Sequence, residues 1–500
     1  MPVIPSPIPD NYIVLRAGKF DTENGAGIVG LTRIFSQLAT TKPPHVAIHF
    51  HGGLVSRPAA EAAAARLMPL YFSAGVQPLF FIWETGWEEI LQQNLPSIFS
   101  EDIFKRVVRR VSQFVKGKLD KELGDGEARG IGGLALTKEN QIQRELDKAH
   151  AGGQMFEDTP AARLPADTRL SAEEQQQILD EIQADQQLEA QLQEIANARQ
   201  QPTEEASRSA TAQGSTATLM SPDVLDDVAP VQEGTRGLIS TVLLAKHVVA
   251  IVGNVIIRLA RHRDHGVYLT IVEEVMREFY VRNAGKFLWD GMKKEVDEAF
   301  GTAGDCGGTA FVSQLKNLWA QGVRPRITLV GHSAGSIYVS RLLKELDREL
   351  PADFKVDVIF LAPACTFAVF ADAIKWAGKR IGGLRIFGMG NAIEMQDAIA
   401  GVAYPASLLY FVSGVLEDQQ DMPLLGMQRY YDQPYDGSGF EDLAFARAFE
   451  FMRRKNALVW SDAKYGDGSS CDMRSHGGWV DAPATLASVL SILRKGYGYV

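Results

Sequence analysis

The sequence predicts an α/β protein, a mostly parallel central sheet flanked by helices and carrying a large, mainly helical insertion. Three observations predict it. Short, nearly continuous apolar runs rich in β-branched and aromatic residues recur along the chain, helical patterns separate many of them, and the alternation breaks between roughly 101 and 300.

The runs read as strands buried on both faces, which lose the polar alternation of a half-exposed sheet. They are YIVL at 12–15, VAIHF at 46–50, LFFIW at 79–83, RITLV at 326–330, VDVIFL at 356–361, SLLYFV at 407–412 and ALVW at 457–460. After Thr309, residues Phe311, Leu315, Leu318 and Trp319 share one helical face; after Ser333, residues Ile337, Leu342 and Leu343 do the same. Strand and helix in alternation give a parallel sheet with helices on both sides. The chain then divides into 1–100 and 301–500, two parts of one core, with 101–300 as an insertion.

Within the insertion, SAEEQQQILDEIQADQQLEAQLQEIANAR at 171–199 opens on a capping-box pattern at Ser171 and Glu174. Ile178, Ile182, Leu188, Leu192 and Ile195 form a narrow apolar stripe on an otherwise Gln/Glu-rich helix, and the stretch 200–217 reads as a flexible linker. LISTVLLAKHVVAIVGNVIIRL at 238–259 is long enough to span a bilayer, but a central lysine costs about 2.5–3.5 kcal/mol on insertion. Ser240, Lys246, His247, Gly253, Asn254 and Arg258 fall within one arc. The segment is expected to be an amphipathic helix packed on the main domain, with a lid or peripheral membrane contact as the alternative.

The formal net charge of −10 argues against a nucleic-acid partner, since phosphate-backbone binders concentrate Lys and Arg. Cys306, Cys365 and Cys471 are widely separated and form neither a CxxC site nor a disulfide framework. The start, MPVIPSPIPD, shows no basic n-region followed by an apolar h-region, so the expected location is the cytoplasm, with signal-independent export open.

Chemistry concentrates in four places. GHSAG at 331–335 follows a strand-like run and opens a helix-like one. A strand turning abruptly into a helix forces the serine into an exposed, strained position and needs residues without bulk two places before and after it. Ser333 is therefore the expected nucleophile. It needs a base, and His476 is the only histidine after it, placed between the last strand-like run and the last helix. The base needs an acid. After 356–361 the corresponding position is Ala362; after 407–412 come Glu417, Asp418 and Asp421, from which Asp418 or Glu417 is expected, Asp418 being favoured as the shorter and stiffer side chain. The oxyanion needs two N–H donors. Ala334 supplies one, and the glycine loop of AIHFHGGLVSR at 47–57 the other, through Gly53 or, failing that, Leu54. His45, His49 and His51 invite a metal reading, but they have no neighbouring Asp, Glu or Cys, so neither metal nor cofactor is expected.

A glycine loop after an early strand, a GHSAG elbow, then an acid and a histidine in that order resemble the α/β hydrolase superfamily over roughly 1–100 and 301–500. The resemblance implies a Ser333, Asp418 or Glu417, His476 triad with an oxyanion hole at Gly53 and Ala334. It implies a serine hydrolase of the esterase or lipase kind acting on a small-molecule or lipid ester, with substrate choice residing in the insertion. Other acyl transfers use the same residues, among them thioester or amide cleavage and transfer to another acceptor. A non-catalytic binding protein on the same fold is the remaining alternative. The wide apolar helix and the aromatic stretch FFIWETGW at 80–87 suggest a hydrophobic substrate.

Overall fold

The computed structural model describes residues 11–21, 27–53, 56–84, 87–123, 164–199, 218–230, 240–281, 284–432 and 443–497. The proline-rich first ten residues, Leu54 and the linker-like stretch 200–217 lie outside them.

The apolar runs assemble into one eight-stranded sheet ordered β2-β1-β4-β3-β5-β6-β7-β8. Its strands are β1 (Tyr12–Arg16), β2 (Lys19–Phe20), β3 (His45–Phe50), β4 (Gln77–Glu84), β5 (Arg326–His332), β6 (Val356–Leu361), β7 (Ile381–Gly388) and β8 (Leu458–Trp460). Only β1 and β2 pair antiparallel; every other pair is parallel. All six residues of β3 are buried, as a strand covered on both faces requires. The protein is thus α/β with a mostly parallel sheet.

Helices α1 (Gly27–Thr41) and α2 (Arg57–Ser73) flank the N-terminal strands, with α2 packed on β4. In the C-terminal part, α11 (Gly307–Ala320), α12 (Gly335–Glu349), α13 (Phe367–Ala377), α14 (Leu443–Arg454) and α15 (Pro483–Lys495) play the same role. The chain runs from β3 to β4 on one side and from β5 through β6 to β8 on the other, so the strand order reverses between β3 and β5. In open α/β sheets, ligands bind at the carboxyl ends of strands flanking such a reversal.

Between β4 and α11 the chain forms α3 (Trp87–Ser100) and α4 (Asp102–Leu123), then α5 (Ala172–Gln183), α6 (Gln186–Arg199) and α7 (Pro222–Val228). It continues with α8 (Thr241–Ala260), α9 (Val267–Met276) and α10 (Ala284–Glu298). The capping box at Ser171 and Glu174 forms with both reciprocal bonds, at 3.2 and 2.8 Å. The single helix expected over 171–199 is two, because the Asp185 carboxylate accepts the amides of Gln187 and Leu188 and caps a second helix. All five stripe residues are buried.

Among the described residues α8 alone is long and apolar enough to cross a membrane, with mean hydropathy 1.9 over its window. It packs on α4, α5, α7 and α9, and half of that window is buried. Lys246 lies exposed, whereas Arg258 at the other end of the polar arc is buried in ion pairs with Glu273 and Glu274.

Two expectations need correction. The run 407–412 is no strand: Leu408–Phe411 is helical and Val412–Leu416 continues as a π-turn, all of it buried except Leu408. Short apolar runs do not distinguish a buried strand from a buried helical turn. The strand that takes its place in the sheet is β7, IGGLRIFG. Its paired glycines conceal it, yet Gly383 is required there, because a Cβ would collide with the Tyr497 ring. The aromatics Phe80 to Trp83 are core residues of β4, so they say nothing about a substrate pocket.

Candidate active site at the carboxyl edge of the sheet

At the end of β5 the chain bends into α12 with Ser333 at φ +50°, a left-handed conformation that costs a non-glycine residue about 1–2 kcal/mol. The bend is pinned on every side. The Ser333 amide donates to the Leu361 carbonyl at 2.9 Å, while the Ser333 carbonyl accepts the amides of Ser336 and Ala364. Gly335 is indispensable because a Cβ there would collide with the main-chain oxygens of Phe50 and His51. The close approach of β3 to the start of α12 is what places the glycine loop beside the serine.

His476 reaches that serine from an irregular segment between β8 and α15. Its Nε2 lies 2.8 Å from the Ser333 Oγ, although 143 positions separate the two in the chain. Both side chains are nearly sealed, at 6% and 7% exposure. Burial, with a further contribution from His332, pushes the His476 imidazole down to about 3, so the ring is neutral and able to accept a proton.

Gly53 lies against Ala334, since a Cβ on Gly53 would stand 2.8 Å from the Ala334 methyl. His51 sets the orientation of this loop. One ring nitrogen accepts the Trp83 amide at 3.1 Å, so the other carries the proton and donates to the Gly52 carbonyl at 2.6 Å. In a trans peptide the N–H points opposite to the carbonyl, so the Gly53 N–H faces away from the His51 ring. Burial depresses His51 to about 4 and keeps that ring neutral.

The expected acids do not join the pair. Glu417 is buried, but its carboxylate accepts Trp289 Nε1–H at 2.8 Å and Lys293 Nζ at 3.3 Å, anchoring α10. The Asp418 carbonyl accepts from Arg277 at 2.9 Å. Among the described residues His476 Nδ1 is buried with no hydrogen-bond partner, an arrangement that costs about 1–3 kcal/mol. The carboxylate that reaches this histidine is Asp397, whose Oδ2 accepts the His476 main-chain amide at 2.7 Å. Asp397 follows β7, the strand missing from the sequence reading. Burial raises the Asp397 carboxyl above its ordinary range, partly offset by that amide bond. Nearby Glu394 is fully buried, bonded to the Ser407 hydroxyl at 2.6 Å and pushed up to about 8 by burial. Recognising IGGLRIFG as a strand would have pointed to Glu394 and Asp397.

The other histidines go to separate partners, His45 to Thr328 at 2.9 Å and His49 to Tyr71 at 3.1 Å. Among the described residues no group of three His, Cys, Asp or Glu side chains is placed to hold a metal ion.

The chain matches no protein-family model, no curated protein and no solved structure. Its functional reading therefore rests on this geometry.

Proposed function

We propose that the chain is a serine hydrolase on an α/β hydrolase fold that cleaves carboxylic esters, with Ser333 as nucleophile and His476 as general base. The observation that carries this reading is the 2.8 Å contact between Ser333 Oγ and His476 Nε2, made by a serine at φ +50° where the strand order reverses. A neutral imidazole accepts the hydroxyl proton as Oγ attacks the ester carbonyl, and the tetrahedral oxyanion rests on the Gly53 and Ala334 amides. The protonated His476 then gives its proton to the departing alkoxide. Water, deprotonated by the same ring, releases the acid from the acyl-enzyme.

For the ring to accept at Nε2, Nδ1 must carry a proton, and that N–H needs an acceptor. Asp397 replaces Asp418 and Glu417 as the third member. It follows the strand after β6, it already holds the His476 amide, and that amide nitrogen is only four bonds from the unpartnered Nδ1. The near-complete burial of both reacting side chains favours an apolar acyl group over a charged one.

A series of p-nitrophenyl esters of increasing acyl length, set beside thioester and aminopeptide substrates, tests the reading. Ester turnover that is lost in Ser333→Ala supports it. Turnover confined to thioesters or amides moves the chain to another acyl transfer, and turnover that survives in Ser333→Ala removes the assignment of the nucleophile.

A further inference from the structure

Two imidazoles stand next to Ser333, and only one faces its hydroxyl. His332 is the last residue of β5 and the immediate chain neighbour of the nucleophile. Its Nε2 lies 3.0 Å from the main-chain carbonyl of His476, and since a carbonyl only accepts, that nitrogen carries a proton. The two rings lie 5.4 Å apart between centroids. On the other side of the same residue, Asp397 accepts the His476 amide. Both peptide units flanking the His476 Cα are thereby held, one from β5 and one from the loop after β7.

We infer that His332 is a positioning residue, which fixes the reach of the general base to the nucleophile by holding the main chain of His476. The inference rests on the hydrolase reading and assigns within it a role for the second residue of GHSAG. His476 belongs to an irregular segment, so no ladder of strand or helix bonds sets its distance from Ser333. In the arrangement described its Nδ1 has no partner, which leaves the main chain and the Nε2 contact to orient the ring. The donor that grips its carbonyl is one residue from the nucleophile on a strand locked in register with β6, His332 opposite Leu361. Nucleophile and base are therefore measured from one rigid frame. Burial lowers the His332 imidazole, which keeps this neighbour from placing a positive charge beside the base.

His332→Phe keeps a flat ring and removes the donor; His332→Gln keeps an N–H donor at comparable reach. With the best p-nitrophenyl ester, the Phe chain is expected to lose about 10- to 100-fold in kcat with little change in KM, as displacement of a catalytic group does. Its rate of fluorophosphonate labelling falls in parallel, and the Gln chain recovers to within about threefold of the parent. A Phe chain at parental kcat, or a Gln chain as impaired as the Phe chain, overturns the proposal, the latter showing that ring shape and not the donor matters. Should the Phe chain not fold, imidazole ¹⁵N shifts of the parent read the same bond. His332 must then show a protonated Nε2 and a bare Nδ1, and the opposite tautomer overturns the role. A parent chain that neither hydrolyses esters nor labels at Ser333 fails differently, since it removes the hydrolase reading itself.

Discussion

Among the described residues, two of the buried polar regions are built on opposite terms. At the junction where α8 and α9 meet the stretch around Asp421, buried charges are paired. Arg258 pairs with Glu273 at 2.7 Å and Glu274 at 2.9 Å, His265 bridges Glu273 and Asp421 at 2.6 and 2.9 Å, and Tyr404 and Tyr430 donate to the same two carboxylates. Gly414 leaves the room Glu273 needs. At the carboxyl edge of the sheet the terms are reversed. The imidazoles are neutral, and among the described residues His476 Nδ1 has no hydrogen-bond partner. At the junction paired charges fasten one part of the fold to another, even with Asp421 at φ +56° among them, whereas the proposed catalytic pair is built from neutral groups.

That contrast is open to direct attack. The largest effect should come from His476→Ala, which removes the proposed base and is expected to cost on the order of 10⁶-fold in kcat while the thermal midpoint stays within a few degrees. Next is the acid. Asp397→Asn should lower kcat about 10²- to 10⁴-fold, whereas Asp418→Asn leaves it within about threefold. Glu417→Gln should act on stability, by about 1–3 kcal/mol, through the lost anchoring of α10. Steady-state kinetics and denaturant midpoints on the three chains separate these outcomes, and a collapse of kcat in Asp418→Asn alone would return the acid to the loop after 412.

At the junction the sign is reversed. Arg258→Met leaves Glu273 and Glu274 buried without their cation and should cost about 3–5 kcal/mol of stability, read from urea unfolding. Below its melting point that chain should still label at Ser333 at the parental rate, and loss of labelling in the folded state would mean that the two regions are coupled.

The site can also be tested by pH. Burial depresses His49 and His476 to about 3 and His51 to about 4, against about 6.5 in an unfolded chain. Below pH 6.5 the unfolded chain takes up protons that the native rings refuse. Their contribution to stability is therefore whole above 6.5 and is lost as pH falls toward 4, at roughly 1.4 kcal/mol per ring per unit. Glu273, which burial pushes up but the His265 and Arg258 charges hold below the ordinary carboxylate range, enters only at lower pH. A urea midpoint that is flat from pH 7 to 4.5 would contradict neutral buried rings at the site.

How much of this could be read from the residues follows the same division. Continuous apolar runs identified six of the eight strands, and GHSAG between a strand and a helix marked the elbow because that corner tolerates few sequences. The HGG loop was legible for the same reason. The carboxylate that holds His476 was not, since Gly382 and Gly383 disguised β7 while the buried turn at 408–416 imitated a strand, moving the search some twenty residues beyond Asp397. The break at Asp185 was written in a capping residue that a helical stripe hides. The junction left no local sign, because Arg258, His265, Glu273 and Asp421 meet only through tertiary packing.

The central claim is that Ser333 is a nucleophile activated by His476. Intact-mass and peptide mass spectrometry after treatment of the native chain with a fluorophosphonate tests it most directly. One adduct per chain on Ser333, absent from His476→Ala, is the result expected; a folded parent chain that remains unmodified at Ser333, or an adduct on another residue, would contradict it.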